Sequence, residues 1–561
     1  MAKLNNIFQN SKKDFSILIG GAAGEGSRAS GIVIAKIFSE LGYRVYIYQD
    51  YPSLIKGGHN FSQIRVSQKE VLAPTKKINF LLALDRRTIE EHKKDLTKDG
   101  IILYNSDELT EKYQGIGIPI ETITQEEKGL PIMKNSALVG ALVKIMGIDW
   151  PVVEKVFQQR FHQSASVNLK IAKRGFNAVS NLFKIKKTGQ KTFPLFTGNE
   201  ALSLGAVAAG LDFYLSYPMT PATGILHFLS NNQKKFKIKV VQLENEIGII
   251  NAALGAAFAG ARTMVGTSGG GFALMTEGIS LASQSEIPIV IVESQRMSPA
   301  TGVPTYNGQG DLLFTLTAGH GDIVKFVIAP GDAQEAYFWA GKILNLSWQY
   351  QTPAILLIDK LISESIFSFD QNIFGQVKYE APFLWDKKGK YLRYQETKNG
   401  ISPLAFPGEK NIVVKLNSYE HDEFGLTVED KEKVEKMQNK RLKKFQAMRK
   451  EVEKLEAVKV YGKKTAKKAI ITWGSTKGPT KEAAEKLGFK MIQPIILEPF
   501  PEKQMKRALQ GIEKIALIEM NGLSQMEKLL NCYGIKMVKK ILKYDGRPFF
   551  PEEIEEKLKN F

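Results

Sequence analysis

Short unbroken apolar runs and longer amphipathic stretches take turns along the first 190 residues. Phe15-Ser-Ile-Leu-Ile-Gly20 is a compact apolar run. A glycine-rich turn follows, Gly20-Gly-Ala-Ala-Gly-Glu-Gly26, then an amphipathic stretch over Ser30–Leu41 and a second run, Tyr43-Arg-Val-Tyr-Ile-Tyr48. Strand, glycine turn, helix, strand is the βαβ grammar of a parallel sheet. Further strands are expected at Phe80–Leu84 and Gly100–Tyr104, and helices at Asn135–Ile145 and Pro151–Gln159, before a basic linker that ends near Lys191.

The same grammar returns between residues 193 and 370. A helix is expected over Glu200–Ala209, closed by Gly210, with strands at Phe213–Ser216 and Lys239–Leu243. An Ala- and Gly-rich helix follows over Glu246–Ala261, and a strand at Thr263–Gly266 enters the turn Thr267-Ser-Gly-Gly-Gly271. The runs Ile287–Glu293 and Ala354–Asp359 are almost continuously apolar, as strands covered on both faces are.

From 371 to 463 the pattern loosens. Val434, Met437, Phe445, Met448, Val452 and Leu455 keep helical spacing across 430–455, with Lys and Glu assigned to the other faces. A partner-docking helix and a solvated connector packed on one side both satisfy that pattern. Residues 464–561 read as another α/β unit, with strands at Lys468–Thr472 and Ile515–Glu519, a turn at Gly474–Gly478 and a helix at Lys481–Leu487. Gly474–Lys481 has the wrong lysine spacing for a phosphate loop. A chain of 561 residues exceeds the ~250–300 residues one core can serve. The expectation is a multidomain α/β protein divided at 1–190, 191–370, 371–463 and 464–561.

Composition narrows the classes. The 77 Lys+Arg against 58 Asp+Glu give a net charge of +19, which suits an anionic substrate, an acidic partner or simply a solvated lysine-rich surface. No nucleic-acid motif accompanies the basic runs near Lys184–Lys191 and Lys431–Lys450, so nucleic acid is not expected. The single cysteine, Cys532, excludes an intrachain disulfide. It also excludes an iron–sulfur cluster held by this chain, since clusters take about four Cys ligands. Six dispersed His without Cys pairs give no zinc pattern, and no metal is assigned to the chain. With no apolar run of ~18 residues and no signal-peptide pattern at Met1–Asp14, the expectation is a cytoplasmic protein with no membrane partner.

Four places could carry chemistry. The turn at 20–26 is not a G-x-G-x-x-G fingerprint; it could hold an anion at a helix N-terminus or simply be the glycine a tight turn requires. Tyr217-Pro-Met-Thr-Pro221 follows a strand directly, and rigid loops at the carboxyl ends of parallel strands are where α/β folds place ligands. Glu244 and Glu246 stand where a strand passes into the small-residue helix. Such a carboxylate, pressed against an apolar surface, can share a proton, or both can simply complement the helix dipole. Arg296 ends the buried strand that carries Ser294-Gln-Arg296; it could fork onto a ligand carboxylate or close a structural ion pair.

With these residues in view, the chain resembles the 2-oxoacid:ferredoxin oxidoreductases that carry γ and α parts in one polypeptide, over nearly its whole length. Gly20–Ser27 with Lys56-Gly-Gly-His59 looks like the γ part, where Arg-Gly-Gly is common in place of Lys56-Gly-Gly. Tyr217-Pro-Met-Thr-Pro221 looks like Y-P-I-T-P, and Gln295-Arg-Met-Ser-Pro-Ala-Thr-Gly-Val-Pro-Thr305 like Q-R-x-G-P-S-T-G-x-P-T, with Ser298 and Ala300 departing from it. Glu420-His-Asp-Glu-Phe-Gly425, Glu519-Met-Asn521 and Tyr544-Asp-Gly-Arg-Pro548 resemble further signatures, Ser524 standing where glycine is usual.

The resemblance implies a γ-type α/β domain, a thiamine-diphosphate-binding pyrimidine-type domain and a transketolase C-terminal-like domain of structural role. It implies CoA-dependent oxidative decarboxylation of a 2-oxoacid, 2-oxoglutarate or pyruvate first, to acyl-CoA and CO₂, with electrons passed to ferredoxin. Thiamine diphosphate would be shared. The sequence has no Gly-Asp-Gly, so the Mg²⁺–diphosphate site falls to a β subunit, and the missing cysteines send the 4Fe–4S cluster to the same partner of a heterodimer. Glu246, nine residues before Gly255, is the implied pyrimidine carboxyl; Glu244 does not fit that spacing. Thr220 and Arg296 would hold the substrate carboxylate, and Tyr217 and Pro218 would belong to the cofactor loop. A non-redox thiamine enzyme of transketolase or carboligase type, and a non-catalytic nucleotide- or CoA-binding subunit, are the two other readings.

Overall fold

The apolar run after Asp14 forms the strand Asp14–Ala22, the helix Ser27–Glu40 follows the glycine turn, and Arg44–Asp50 is the next strand. The βαβ pattern predicts a parallel sheet, but these two strands are not adjacent. His59–Ser67 lies between them, antiparallel to both, so the sheet is mixed. The physical reason is visible in that strand. It buries Ser62, Gln63 and Arg65, and so presents no apolar run. Their polar groups are matched instead: Arg65 donates to Asp14 (Nε–Oδ1 3.0 Å) and to the Ala73 carbonyl (3.1 Å), and Gln63 to the Thr75 carbonyl (2.6 Å).

The computed structural model describes residues 14–52, 58–109 and 113–561. Lys56 and Gly57 of the Lys56-Gly-Gly-His59 motif lie outside them. The chain divides into two compact units, each with its own sheets. The first comprises the described residues up to Phe196 with Ser365–Gln371 and Phe549–Glu553, and the second the remainder. The eight-stranded sheet of the first unit runs Ile116–Ile118, Leu96–Asn105, Ile78–Ala83, Asp14–Ala22, His59–Ser67, Arg44–Asp50, Ile366–Ser368, Leu195–Thr197. The predicted helices form at Asn135–Ile145 and Trp150–Phe161, and a third, Ala165–Asn177, follows them. Two of the histidines that are far apart in sequence meet here: His59 and His92 face each other, Nε2 to Nε2, at 2.8 Å.

The second unit contains two sheets. The larger runs Ile496–Glu498, Phe326–Ile328, Pro353–Asp359, Ile289–Gln295, Thr263–Thr267, Phe213–Ser216, Lys239–Gln242. All its pairings are parallel except that of the edge strand Ile496–Glu498. The carboxyl ends of six strands therefore open on one edge, the place where such sheets gather ligands. The smaller sheet orders Val458–Gly462, Lys490–Pro494, Lys468–Thr472, Lys514–Glu519 and Lys539–Leu542.

The helix expected over 430–455 is Lys431–Val452, but the division of its faces is not the one its sequence suggests. Met437, Met448 and Val452 are buried as expected, and so are Lys440, Arg441 and Lys444. Lys440 and Lys444 both grip the fully buried Glu286 carboxylate, Lys440 at 2.6 Å, while Arg441 forks onto Glu420. Two buried ammonium groups are tolerable only with such a counter-ion, and removing one partner of a buried pair typically costs about 3–5 kcal/mol. The helix is a packed connector, and Glu420 of the Glu420–Gly425 signature is part of its anchor. Lys477, one of the two lysines in the rejected phosphate loop, is likewise interior, paired with Asp332 and, at 2.6 Å, with Glu335.

Candidate active site

Four loops meet at the carboxyl edge of the larger sheet. After Lys239–Gln242 the chain enters the helix Glu246–Phe258, capped by Asn245, whose Oδ1 accepts the Gly248 amide at 2.8 Å. The cap fixes the first helical residue, Glu246, with its side chain inward: it is 3% exposed, whereas Glu244 lies on the surface. Glu246 Oε1 accepts a hydrogen bond from Thr267 Oγ1 at 3.2 Å, across from the end of the Thr263–Thr267 strand. Two of the three glycines after Thr267, Gly269 and Gly271, have neighbours where a side chain would go. A Cβ on Gly271 would overlap both the Glu246 carboxyl and the Thr267 hydroxyl, and one on Gly269 would press the Asp311 carboxyl at 3.0 Å.

On the other side, Ser216 ties the start of the Tyr217–Pro221 loop to the neighbouring strand by donating to the Gly266 carbonyl at 2.8 Å. Asn199 holds the far end through the Pro221 carbonyl at 2.8 Å. Arg296, buried at the end of Ile289–Gln295, donates Nη1 to the Thr220 carbonyl at 2.8 Å. The two residues expected to hold a carboxylate are thus in direct contact, and the guanidinium retains further N–H donors. Tyr217 and Pro218 stand on the exposed outer part of the loop, Tyr217 at 38%.

The loop beyond Arg296 is held from a distance in sequence. Met297 and Val303 bond to each other, closing it into a short arch. Its end is stitched to the second sheet. Gln309 and Met520 exchange two bonds of 2.8 Å, Asn521 donates to the Gln309 carbonyl at 3.1 Å, and Gln525 accepts the Leu313 amide at 2.9 Å. The Asn307 amide reaches the Gly546 carbonyl at 3.1 Å, and Arg547 lies 3.7 Å over the Tyr306 ring. The signatures Glu519-Met-Asn521 and Tyr544–Pro548, and with them the C-terminal domain, therefore do more than fill space: they set the loop that follows the arginine.

Sequence reasoning missed Thr267, Glu293 and Asp311. Glu293 is fully buried on the central strand, paired in register with Thr267, and Asp311 lies within hydrogen-bonding reach of it. Burial first, and then the Asp311 charge, push the Glu293 carboxyl well above the usual carboxylate range; burial also raises Asp311. One signal was available: a glutamate inside the apolar run Ile287–Glu293 has no reason to be there unless it has a partner. Nothing in the sequence marks Asp311.

Ser268 Oγ, fully buried at the head of the glycine turn, has no hydrogen-bond partner. An inward carboxyl and an orphaned buried hydroxyl at the sheet's carboxyl edge fit the edge of a flat heterocycle bearing ring nitrogens and an amino group, such as a pyrimidine.

The relatives of the chain agree with this class of site. Residues 204–440 match a family described as pyruvate flavodoxin/ferredoxin oxidoreductase, thiamine diphosphate-binding. Residues 16–178 match the pyruvate ferredoxin/flavodoxin oxidoreductase family, and 466–554 its core domain II. The 2-oxoacid:ferredoxin oxidoreductase subunit alpha of Saccharolobus solfataricus is 31% identical, covering 97% of each chain. The 2-oxoglutarate oxidoreductase subunit KorA of Mycobacterium tuberculosis is 27% identical over 96% of this chain and 90% of its own. The 2-oxoglutarate:ferredoxin oxidoreductase from Magnetococcus marinus, solved with 2-oxoglutarate, coenzyme A and succinyl-CoA bound, superposes with a TM-score of 0.90 at 29% identity, over 98% of this chain and 99% of that one. The chain belongs to the 2-oxoacid:ferredoxin oxidoreductase family, as an alpha subunit with its γ-type part in the same polypeptide. An oxidoreductase subunit, rather than a carboligase or a non-catalytic binding protein, is therefore the reading that holds.

Proposed function

We propose that this chain supplies the pyrimidine half of a thiamine diphosphate site and the carboxylate anchor for a 2-oxoacid, in a CoA-dependent oxidative decarboxylation. The observation that carries it is Glu246, a buried carboxyl at the sheet's carboxyl edge with one oxygen on Thr267, packed against Gly271 where a side chain would displace it. When bound, thiamine diphosphate supplies the electron sink that decarboxylation of a 2-oxoacid needs. Glu246 holds and exchanges a proton at the ring nitrogen, Thr267 fixes the rotamer of that carboxyl, and Tyr217 and Pro218 border the ring. Arg296 orients the substrate carboxylate beside Thr220 and fixes which end of the acid faces the chemistry.

The Mg²⁺–diphosphate site, the 4Fe–4S cluster and the contact with ferredoxin belong, in this proposal, to a β subunit. The support is the absence of Gly-Asp-Gly, the single cysteine, and an apolar rim around the site: Ile247 is 53% exposed, and Leu274 and Val303 are also exposed. The division at 1–190, 191–370, 371–463 and 464–561 is part of the same reading; the family matches at 16–178 and 466–554 support its first and last boundaries, while the match at 204–440 runs across residue 370. So is a cytoplasmic location. Among the described residues no helix is long and apolar enough to cross a membrane, and Cys532 is free.

The test is Glu246→Gln in the enzyme assembled with its β subunit, assayed by viologen reduction with 2-oxoglutarate and with pyruvate. Loss of a positioned acid–base group should lower the rate about 10²–10⁴-fold with assembly intact. An unchanged rate removes Glu246 from the site.

A further inference from the structure

Glu293 is the one acidic residue in the middle of the central strand, flanked in register by Thr267 on one neighbour and Leu357 on the other. Both its carboxyl oxygens are buried without a hydrogen-bond donor, and so is Oδ2 of Asp311. The fold brings the two carboxyls together: Asp311 is tied to Gln295, two residues beyond Glu293, and its carboxyl lies against Gly269, two residues beyond Thr267, the register partner of Glu293; each carboxyl interacts with the other and with Arg296. Asp311 is fixed in that position: its amide donates to Gln295 Oε1 at 3.0 Å, and its carboxyl rests on Gly269. Two ionised carboxylates here would face each other, acceptor to acceptor, with a single guanidinium for two buried charges. Leaving a buried charge unpaired costs several kcal/mol, and an unfilled buried acceptor adds to it. One proton removes both problems. It converts the contact into an O–H···O⁻ bond and leaves one negative charge against one positive charge.

We propose that Glu293 and Asp311 hold a single proton between them and that this pair is a positioning element for Arg296, making substrate capture proton-linked. The linkage rests on Arg296 binding the 2-oxoacid carboxylate; the shared proton does not. Before substrate arrives the triad sums to zero. A substrate carboxylate takes it to −1 with the proton in place and to −2 without it. Anion binding therefore weakens once the proton leaves, and KM rises by up to about tenfold per pH unit on that limb, as a one-proton linkage requires.

The charged groups on the surrounding elements are few. Glu246 is engaged by Thr267 Oγ1 at 3.2 Å. Asp359, at the end of the adjacent strand, is engaged by Gln309 at 3.2 Å and the Ser475 amide at 3.0 Å. Lys360 pairs with Glu364 at 3.7 Å. The charge effects on Glu293 come from Asp311 and Arg296.

The experiment uses the assembled enzyme and has two readouts. In infrared difference spectra at neutral pH, wild type minus Glu293→Gln should show the C=O stretch of a protonated carboxylic acid. Asp311→Asn, which changes the bond made by that proton, should shift the same band. In kinetics, wild type should show the alkaline rise in KM. Glu293→Gln, whose amide donates to Asp311 and cannot titrate, should lose that rise. Glu293→Leu, which leaves Asp311 without a donor, should raise KM at every pH. Absence of the acid band, or its indifference to both Gln and Asn substitutions, overturns the shared proton. An unaltered alkaline limb in Glu293→Gln overturns the linkage. If Arg296→Ala leaves KM untouched, the carboxylate-binding assignment fails while the infrared result still decides the proton.

Discussion

Replacing Asn521 by alanine separates the part of the C-terminal domain that steadies the molecule from the part that serves the site. Asn521 is buried and makes four hydrogen bonds. Its Nδ2 donates to the Gln309 carbonyl at 3.1 Å and to Glu519 at 2.7 Å, and its Oδ1 accepts from Leu523 at 3.1 Å and Gln525 at 3.3 Å. At about 1 kcal/mol net for each bond, Asn521→Ala should cost about 4 kcal/mol. The Leu523 amide can be rehydrated beside its exposed side chain, which brings the figure nearer about 3 kcal/mol. Only one of the four bonds touches the loop that carries Arg296 and Asp311. The share transmitted to substrate capture is therefore about 1–1.4 kcal/mol, up to about a tenfold rise in KM for the 2-oxoacid. Glu246 and the glycine turn lie on other strands, so thiamine diphosphate affinity should not move. Chemical denaturation gives the first quantity, steady-state viologen reduction by the assembled enzyme the second, and cofactor titration the third. A full loss of stability with KM unchanged within about twofold would show that the stitching between Gln309 and Met520–Asn521 supports the fold and nothing more.

Two other expectations follow. Arg296→Ala should raise the 2-oxoacid KM at least about 30-fold, since truncating one partner of a buried charge pair costs 2–5 kcal/mol; a fall in kcat alone, with KM unmoved, would contradict carboxylate binding. In the N-terminal unit, burial and the neighbouring His59 hold His92 down at about 4, and burial lowers His59 as well. Native His92 is then neutral where the unfolded chain takes up a proton, so stability is complete above about pH 6.5 and is lost as pH falls towards 4, by about 3 kcal/mol in all. Denaturation at pH 7.5 and 4.5 should show a smaller acid loss for His92→Gln than for wild type; equal losses would refute the neutral His59–His92 pair.

Much of the site was legible because its chemistry sits next to strong local signals. Phe213–Ser216 and Lys468–Thr472 form as the apolar runs predict, and the Tyr217–Pro221 loop and Arg296 follow their strands directly. The choice of Glu246 over Glu244 agrees with burial, which a capped helix start determines. What stayed hidden depends on partners distant in sequence. His59–Ser67 is a central strand whose buried polar residues are satisfied by Asp14, Ala73 and Thr75, so its pattern does not read as buried. Lys440, Arg441 and Lys444 look like a solvated face until Glu286 and Glu420 are folded against them. Asp311 matters only because Gly269 and Glu293 come to lie beside it.

The stitching of the arginine loop has a consequence for how the polypeptide matures. Gln309 receives its bond from Met520 across 211 positions of sequence, so a ribosome has made most of the protein before that loop can take its final shape. A nascent chain released early would present the sheet edge with Glu246 in place and the loop after Arg296 still slack. Competence for the keto acid should therefore appear only late in synthesis, as one of the last acts of folding.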